Sequence, residues 1–165
     1  MKTIRTKKPL QALVAALTLA SCIISAAACG LLDNVNHKNE ETEESLEQIL
    51  DKALSIPLAR KAAGRKDVWV RGYIIGGDLS NKKIRYRPPF EKATNLAIAF
   101  RPDSLTARDS CMSVSLPQGE LRNKLNLVSN DTLLLREVCI QGDIEISYFG
   151  LVGIKPAKSF RLIPD

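Results

Sequence analysis

Histidine is nearly missing from this chain: His37 is the only one in 165 residues. It falls in the acidic, core-poor stretch from Asp33 to Glu44, where it reads as solvated. The apolar segments therefore have no Ser-His or Cys-His pair for nucleophilic catalysis. The chain also lacks a Cys-x-x-Cys pair, zinc-ligand spacing and a glycine-rich phosphate loop. Glu137, Asp143 and Glu145 would share one face of an unbroken strand, and a metal-dependent nuclease could use such acids. Their plain reading is a solvated strand face, with Gly142 free to shift the register. No apolar run is long enough to span a bilayer, which takes about 20 residues; the run from Ala12 to Ala20 soon meets Ser21, Cys22 and Ser25. No repeat or low-complexity tract appears. These absences argue against an enzyme, and no cofactor or metal is expected.

Charge is present but divided. The formal net charge is +6, and Lys2, Arg5, Lys7 and Lys8 belong to the N-terminal targeting segment. From Asp33 to Asp51 there are seven acidic residues against Lys38, whereas from Lys52 onward 19 basic residues face 11 acidic ones, a balance of +8. An acidic leader thus precedes a basic folded part. Such asymmetry suits anionic partners and also aids solubility.

Residues 1–21 carry a basic start and a short apolar run, the pattern of an export signal. Leu19-Ala20-Ser21-Cys22 resembles the lipobox of bacterial lipoproteins, with Ala26-Ala27-Ala28-Cys29 as the alternative. An acylated cysteine would anchor the chain to the inner or outer membrane of the cell envelope, since several acyl chains suffice for stable attachment. Residues 22–44 are expected to form a flexible acidic tether and residues 45–165 the folded domain.

The folded domain opens on a helical pattern, Leu46, Ile49, Leu50, Ala53 and Leu54, which Pro57 ends or restarts and Gly64 closes. The stretch from Val68 to Gly77 organises the rest of the domain. It is β-branched and aromatic, and Gly72 is expected to bend it. Val68, Val70 and Ile74 share one face, and Trp69, Arg71 and Tyr73 the other. A long loop runs from Asp78 to Lys92. Strands are expected over Asn95–Phe100 (Leu96, Ile98 and Phe100 inward), Cys111–Leu116, Leu133–Ile146 with a break at Gly142, and from Leu151 onward. A short helix over Glu120–Leu127 separates the third and fourth strands, and Tyr148-Phe149-Gly150 makes a tight turn. Cys111 and Cys139 fall on strands that are not neighbours in this order, so two buried free thiols are expected in preference to a disulfide.

Three strands, a short helix and two strands is the order of an OB-fold, a five-stranded Greek-key barrel. Val68-Trp69-Val70-Arg71-Gly72-Tyr73-Ile74-Ile75-Gly76, Thr94–Ala99, Ser115–Arg122 with Leu125–Leu127, and Gly142–Ile144 through Tyr148–Leu151 with Gly153–Lys155 occur in that order. In these motifs the chain resembles an uncharacterised OB-fold-like domain of Bacteroidetes lipoproteins, related to OB-fold modules attached to some extracellular bacterial nucleases. Val152 departs from the proline usual in that family. The resemblance implies the fold and brings no established activity.

OB-folds bind ligands across the face of their central strands, between the loops joining strands one and two and strands four and five. That face would present Trp69, Arg71 and Tyr73. The first loop would add Lys82, Lys83, Arg85, Tyr86 and Arg87, and the second Tyr148 and Phe149. Rings that stack and cations that track phosphates are the parts of a single-strand binder. They would equally grip an acidic glycan, and an envelope protein is the remaining partner. The competing reading packs Trp69 and Tyr73 under the N-terminal helices. For the anchor, fatty-acid labelling should vanish in Cys22→Ala and persist in Cys29→Ala; the reverse result moves the anchor downstream.

Overall fold

The computed structural model describes residues 44–103 and 107–164. The export signal, Cys22, Cys29 and all of the tether except Glu44 lie outside them. The first element is α1 (Leu46–Lys52), whose start is fixed by a capping box. The Ser45 hydroxyl accepts from the Gln48 N–H at 3.2 Å, and the Gln48 side chain accepts from the Ser45 N–H at 3.0 Å. The helix is shorter than its apolar spacing suggests. Ala53 is already extended, and Leu54–Ser55 forms a two-residue strand, β1, running parallel to β2 (Val68–Gly77). Leu54 therefore packs from a strand, because two backbone partners on β2 outweigh one more turn of helix. Pro57 stands in the first turn of α2 (Ile56–Lys61), where its missing N–H leaves no partner unserved.

The remaining elements are β3 (Asn95–Ala99), β4 (Met112–Ser115), α3 (Glu120–Leu125), β5 (Glu137–Tyr148) and β6 (Leu151–Leu162). β2 divides its hydrogen bonds. Val68–Tyr73 pair antiparallel with β5, and Tyr73–Gly77 pair antiparallel with β3. The sheet order β1-β2-β3-β4-β6-β5, with β2 joined back to β5, closes five strands into a barrel. Its one parallel contact among these five is β4 with β6. This is the OB-fold-like order, and α3 lies between the third and fourth barrel strands. Alternation fills the interior with Val68, Val70 and Ile74 from β2, Leu96 and Ile98 from β3, and Met112 and Val114 from β4.

Several expectations need correction. Gly72 does not bend β2: it pairs regularly with Val138, and the register slips between Ile74 and Gly76 instead. Glycine at 72 serves close packing, since a Cβ there would lie 2.9 Å from both the Ala99 carbonyl oxygen and Ile56 Cδ1. β3 ends at Ala99 and the chain bends, so Phe100 turns outward and is 54% exposed. Ala97 and Ala99 face away from the barrel interior yet are fully buried, beneath Leu79 and Ile84 of the loop after β2. Leu133 ends a 3-10 turn over Asp131–Leu133, and β5 starts only at Glu137. The last strand is continuous over Leu151–Leu162, with its register against β5 shifting on both sides of Gly142. Phe149 (φ 55°) and Gly150 (φ 72°) supply the paired left-handed residues of a two-residue hairpin turn.

Gly76 is the tightest of these backbone approaches on β2. A Cβ would be driven into the Arg85 carbonyl oxygen and would lie 2.9 Å from Ile84 Cγ2. Gly76→Ala should destabilise the domain by about 1–3 kcal/mol, as overpacking of a closed site does. Urea unfolding measures it; an unchanged midpoint would mean that the loop lifts freely from β2.

Candidate functional site

Alternation along β2 sends Trp69, Arg71 and Tyr73 to the outside of the barrel, and each meets a different fate. Trp69 is covered: it is 5% exposed and packs with Ile49 of α1 and with Cys139. Its indole N–H donates to Glu44 Oε2 at 3.2 Å, and Glu44 also pairs with Lys52. Burial of a tryptophan with a carboxylate for its N–H is a packing role, so Trp69 leaves the expected ligand face. Arg71 stays exposed, and its Nε donates to Glu137 Oε1 at 2.7 Å. That hydrogen bond holds the guanidinium pKa above its ordinary value. Tyr73 is half-buried against a second apolar cluster that includes Ile75, Ala97, Ala99 and Cys111.

The loop after β2 builds the cover of that second cluster. Leu79 and Ile84 are buried in it, with Tyr86 and Phe149 packed against it. Burial raises the Tyr86 phenol pKa. Backbone bonds in both directions between Gly77 and Arg85, each 2.9 Å, lay the loop along the end of β2. Arg85 is not free to meet a ligand. Its guanidinium reaches Asp78 Oδ2 and Glu91 Oε1, each at 3.1 Å, and donates to the Pro89 carbonyl at 2.6 Å. Asp78 and Glu91, at the two ends of the loop, hold Arg85 between them. Lys82, Lys83 and Arg87 remain exposed.

At the same end, Arg108 donates to the Phe149 carbonyl at 2.5 Å and to the Ser80 carbonyl at 3.3 Å, tying two loops together. Tyr148 and Phe149 have ring centroids 4.5 Å apart, and Lys155 Nζ lies 5.1 Å from the Tyr148 centroid. The two expected loops therefore do meet. Their aromatic residues are largely spent on each other and on the covered strands.

What stays open is a groove of about 350 Å³ on the outer side of β2. Its lining includes Leu50, Ala53, Arg71, Tyr73, Phe100 and Glu137. Sequence reasoning missed Phe100 because alternation continued past the end of β3, and missed Arg108 because the turn-rich connection carries no periodic signal. A wider hollow of about 570 Å³ lies between α3 and β6, but its lysines are engaged. Lys124 meets Glu120 at 2.6 Å, and Lys158 meets Asp67 and Asp143 at 2.6 Å each.

The strand acids separate as well. Glu137 serves Arg71, Asp143 serves Lys158 and Lys66, and Glu145 is exposed. The Lys158 hydrogen bond holds the Asp143 carboxyl below its ordinary pKa. Among the described residues there is no group of three or more His, Cys, Asp or Glu side chains that could hold a metal ion. None of their helices is long and apolar enough to cross a membrane. Cys111 and Cys139 are free and buried in different clusters, and burial pushes both thiols up to about 11.

The family model described as a Domain of unknown function (DUF6359) matches residues 54–163, and the chain belongs to that family. No curated protein and no solved structure matches the chain.

Because Trp69 is buried under α1, Trp69→Ala should cost about 3–5 kcal/mol in a urea titration. A variant as stable as the parent would return Trp69 to the ligand face.

Proposed function

We propose that this member of the family is a non-catalytic binding module, held at the cell envelope by an N-terminal lipid anchor, whose outer groove takes an anionic polymer. The observation that carries the reading is the groove itself: the Arg71 guanidinium stands beside Tyr73 and a Phe100 that is 54% exposed. An exposed ring next to a fixed cation is the arrangement that stacks a base or sugar and meets its phosphate. Glu137 engages Nε of Arg71, which orients the planar fork and leaves its terminal N–H groups for a ligand. Lys82, Lys83 and Arg87 are exposed on the loop after β2 and add further cations to the molecule's surface. The envelope address rests on the Cys22 or Cys29 motif and on the resemblance to Bacteroidetes lipoprotein domains.

A second reading, an assembly accessory that binds another envelope protein, draws on apolar exposure. Leu58 is 55% and Phe100 54% exposed, and large exposed apolar groups are common where proteins meet.

The experiment is anisotropy of labelled single-stranded DNA, RNA and an acidic glycan over a salt series. For nucleic acid, log K should fall with log salt by about 0.7 per phosphate contact, so Arg71→Gln should flatten the slope by about that amount. Phe100→Ala should weaken binding by ~1–3 kcal/mol without that flattening. If no anionic polymer binds at low salt, the protein-partner reading takes over.

A further inference from the structure

Phe100 has a second side. Beyond it lies a separate pocket of about 290 Å³ lined by Pro57, Arg60, Phe100, Arg101 and Ser110, with no carboxylate in its wall. Two guanidinium groups and no carboxylate line it. Arg71 has Glu137, Arg85 has Asp78 and Glu91, and Arg108 has two carbonyls. Arg60 makes no side-chain hydrogen bond or ion pair with any described residue, and its Nε, like that of Arg108, is buried without a partner; unlike those of Arg108, none of its other guanidinium nitrogens is engaged by a described residue. Arg101 is exposed and likewise has no side-chain partner among the described residues.

Leaving a buried donor unpaired costs about 1–3 kcal/mol, more when the group is charged. Two guanidinium groups line one hollow whose wall carries no carboxylate. An oxyanion suits that lining, because the guanidinium fork matches a phosphate or carboxylate with paired donors. The elements hold the pair in place. Ile56 and Ala59 bury α2, which carries Arg60 in its last turn. The bend after β3 sets Phe100 and Arg101 side by side, and Ser110 ends the 3-10 turn over Arg108–Ser110.

We infer that the pocket formed by Arg60, Arg101 and Ser110 is an oxyanion subsite for a phosphate or sulfate monoester, with Phe100 packing against the ester group. The subsite lies off the β2 groove and stands without the polymer reading. Arg60 and Arg101 supply the charge, the Ser110 hydroxyl supplies a further donor, and the ring excludes water from one side of the bound ester.

The test uses the full chain in detergent and follows thermal unfolding against inorganic phosphate, inorganic sulfate, phenyl phosphate and phenyl sulfate. The parent should be stabilised by all four, with each phenyl ester acting at roughly a tenth of the concentration of its inorganic anion or less, an aromatic contact being worth about 1–3 kcal/mol. The ratio between the two esters distinguishes phosphate from sulfate as the preferred source. Arg60→Met should unfold at the parent temperature or above it without anion, because it removes an unpaired buried donor. Its response to all four probes should be lost. Arg101→Gln should weaken the response roughly tenfold, as loss of a charge-assisted hydrogen bond does, and Phe100→Ala should abolish only the advantage of the phenyl esters. A parent indifferent to every probe, or an Arg60→Met variant that responds like the parent, overturns the subsite. Phosphate protection that depends on Arg60 in a protein that ignores oligonucleotides and acidic glycans leaves the subsite standing and removes the polymer reading.

Discussion

The structure depends on how β2 divides its backbone hydrogen bonds. Its first half is bonded to β5 and its second half to β3, so one strand belongs to both sides of the closed sheet. The barrel wall then closes strand to strand, which leaves few open edges to protect. The division requires a register change, and it falls between Ile74 and Gly76, where the loop after β2 lies directly on the backbone. A side chain at Gly76 would separate the loop from the strand; one at Gly72 would push against α2 and β3. The two glycines thus serve close approach, and neither has a left-handed φ.

Closure creates a second problem, because the outer faces of β2 and β3 carry apolar residues too. Here the protein covers much of that surface with its own chain. The helix α1 is laid over Trp69, and the loop from Asp78 to Lys92 is laid over Ala97 and Ala99. Small alanines give Leu79 and Ile84 room to settle. The surface that an OB-fold offers to ligands is therefore narrowed to the strip between these covers, where Arg71, Tyr73 and Phe100 meet. The open grooves beside Phe100 lie at the seams between these elements.

Electrostatics show the same division of labour. Arg85 and Arg108 are committed to holding loops, and Lys158 and Asp143 to joining β6 and β5 at the surface. Those charges are neutralised or satisfied in place. Arg60 and Arg101 lack side-chain partners among the described residues, and they sit beside the one aromatic ring that the barrel turns outward at the end of β3. Exposed surface ion pairs contribute little to stability, so the positions of the unpaired cations say more about binding than the net charge does.

The amino-acid sequence by itself determined the barrel. Alternation in Val68–Gly77 and Met112–Ser115, the apolar repeat behind α3 and the turn residues before β6 are local signals, readable without knowing what lies opposite. It also separated Val68, Val70 and Ile74 from Trp69, Arg71 and Tyr73 correctly by face. What alternation cannot say is whether an outward residue meets water, because the covering element comes from elsewhere in the chain. Ile49 reaches Trp69 from 20 residues earlier, and Ile84 reaches Ala97 from a loop without periodicity. Likewise, Phe100 is outward only because β3 stops at Ala99. The fate of those residues is a matter of long-range packing, which only the assembled tertiary structure decides.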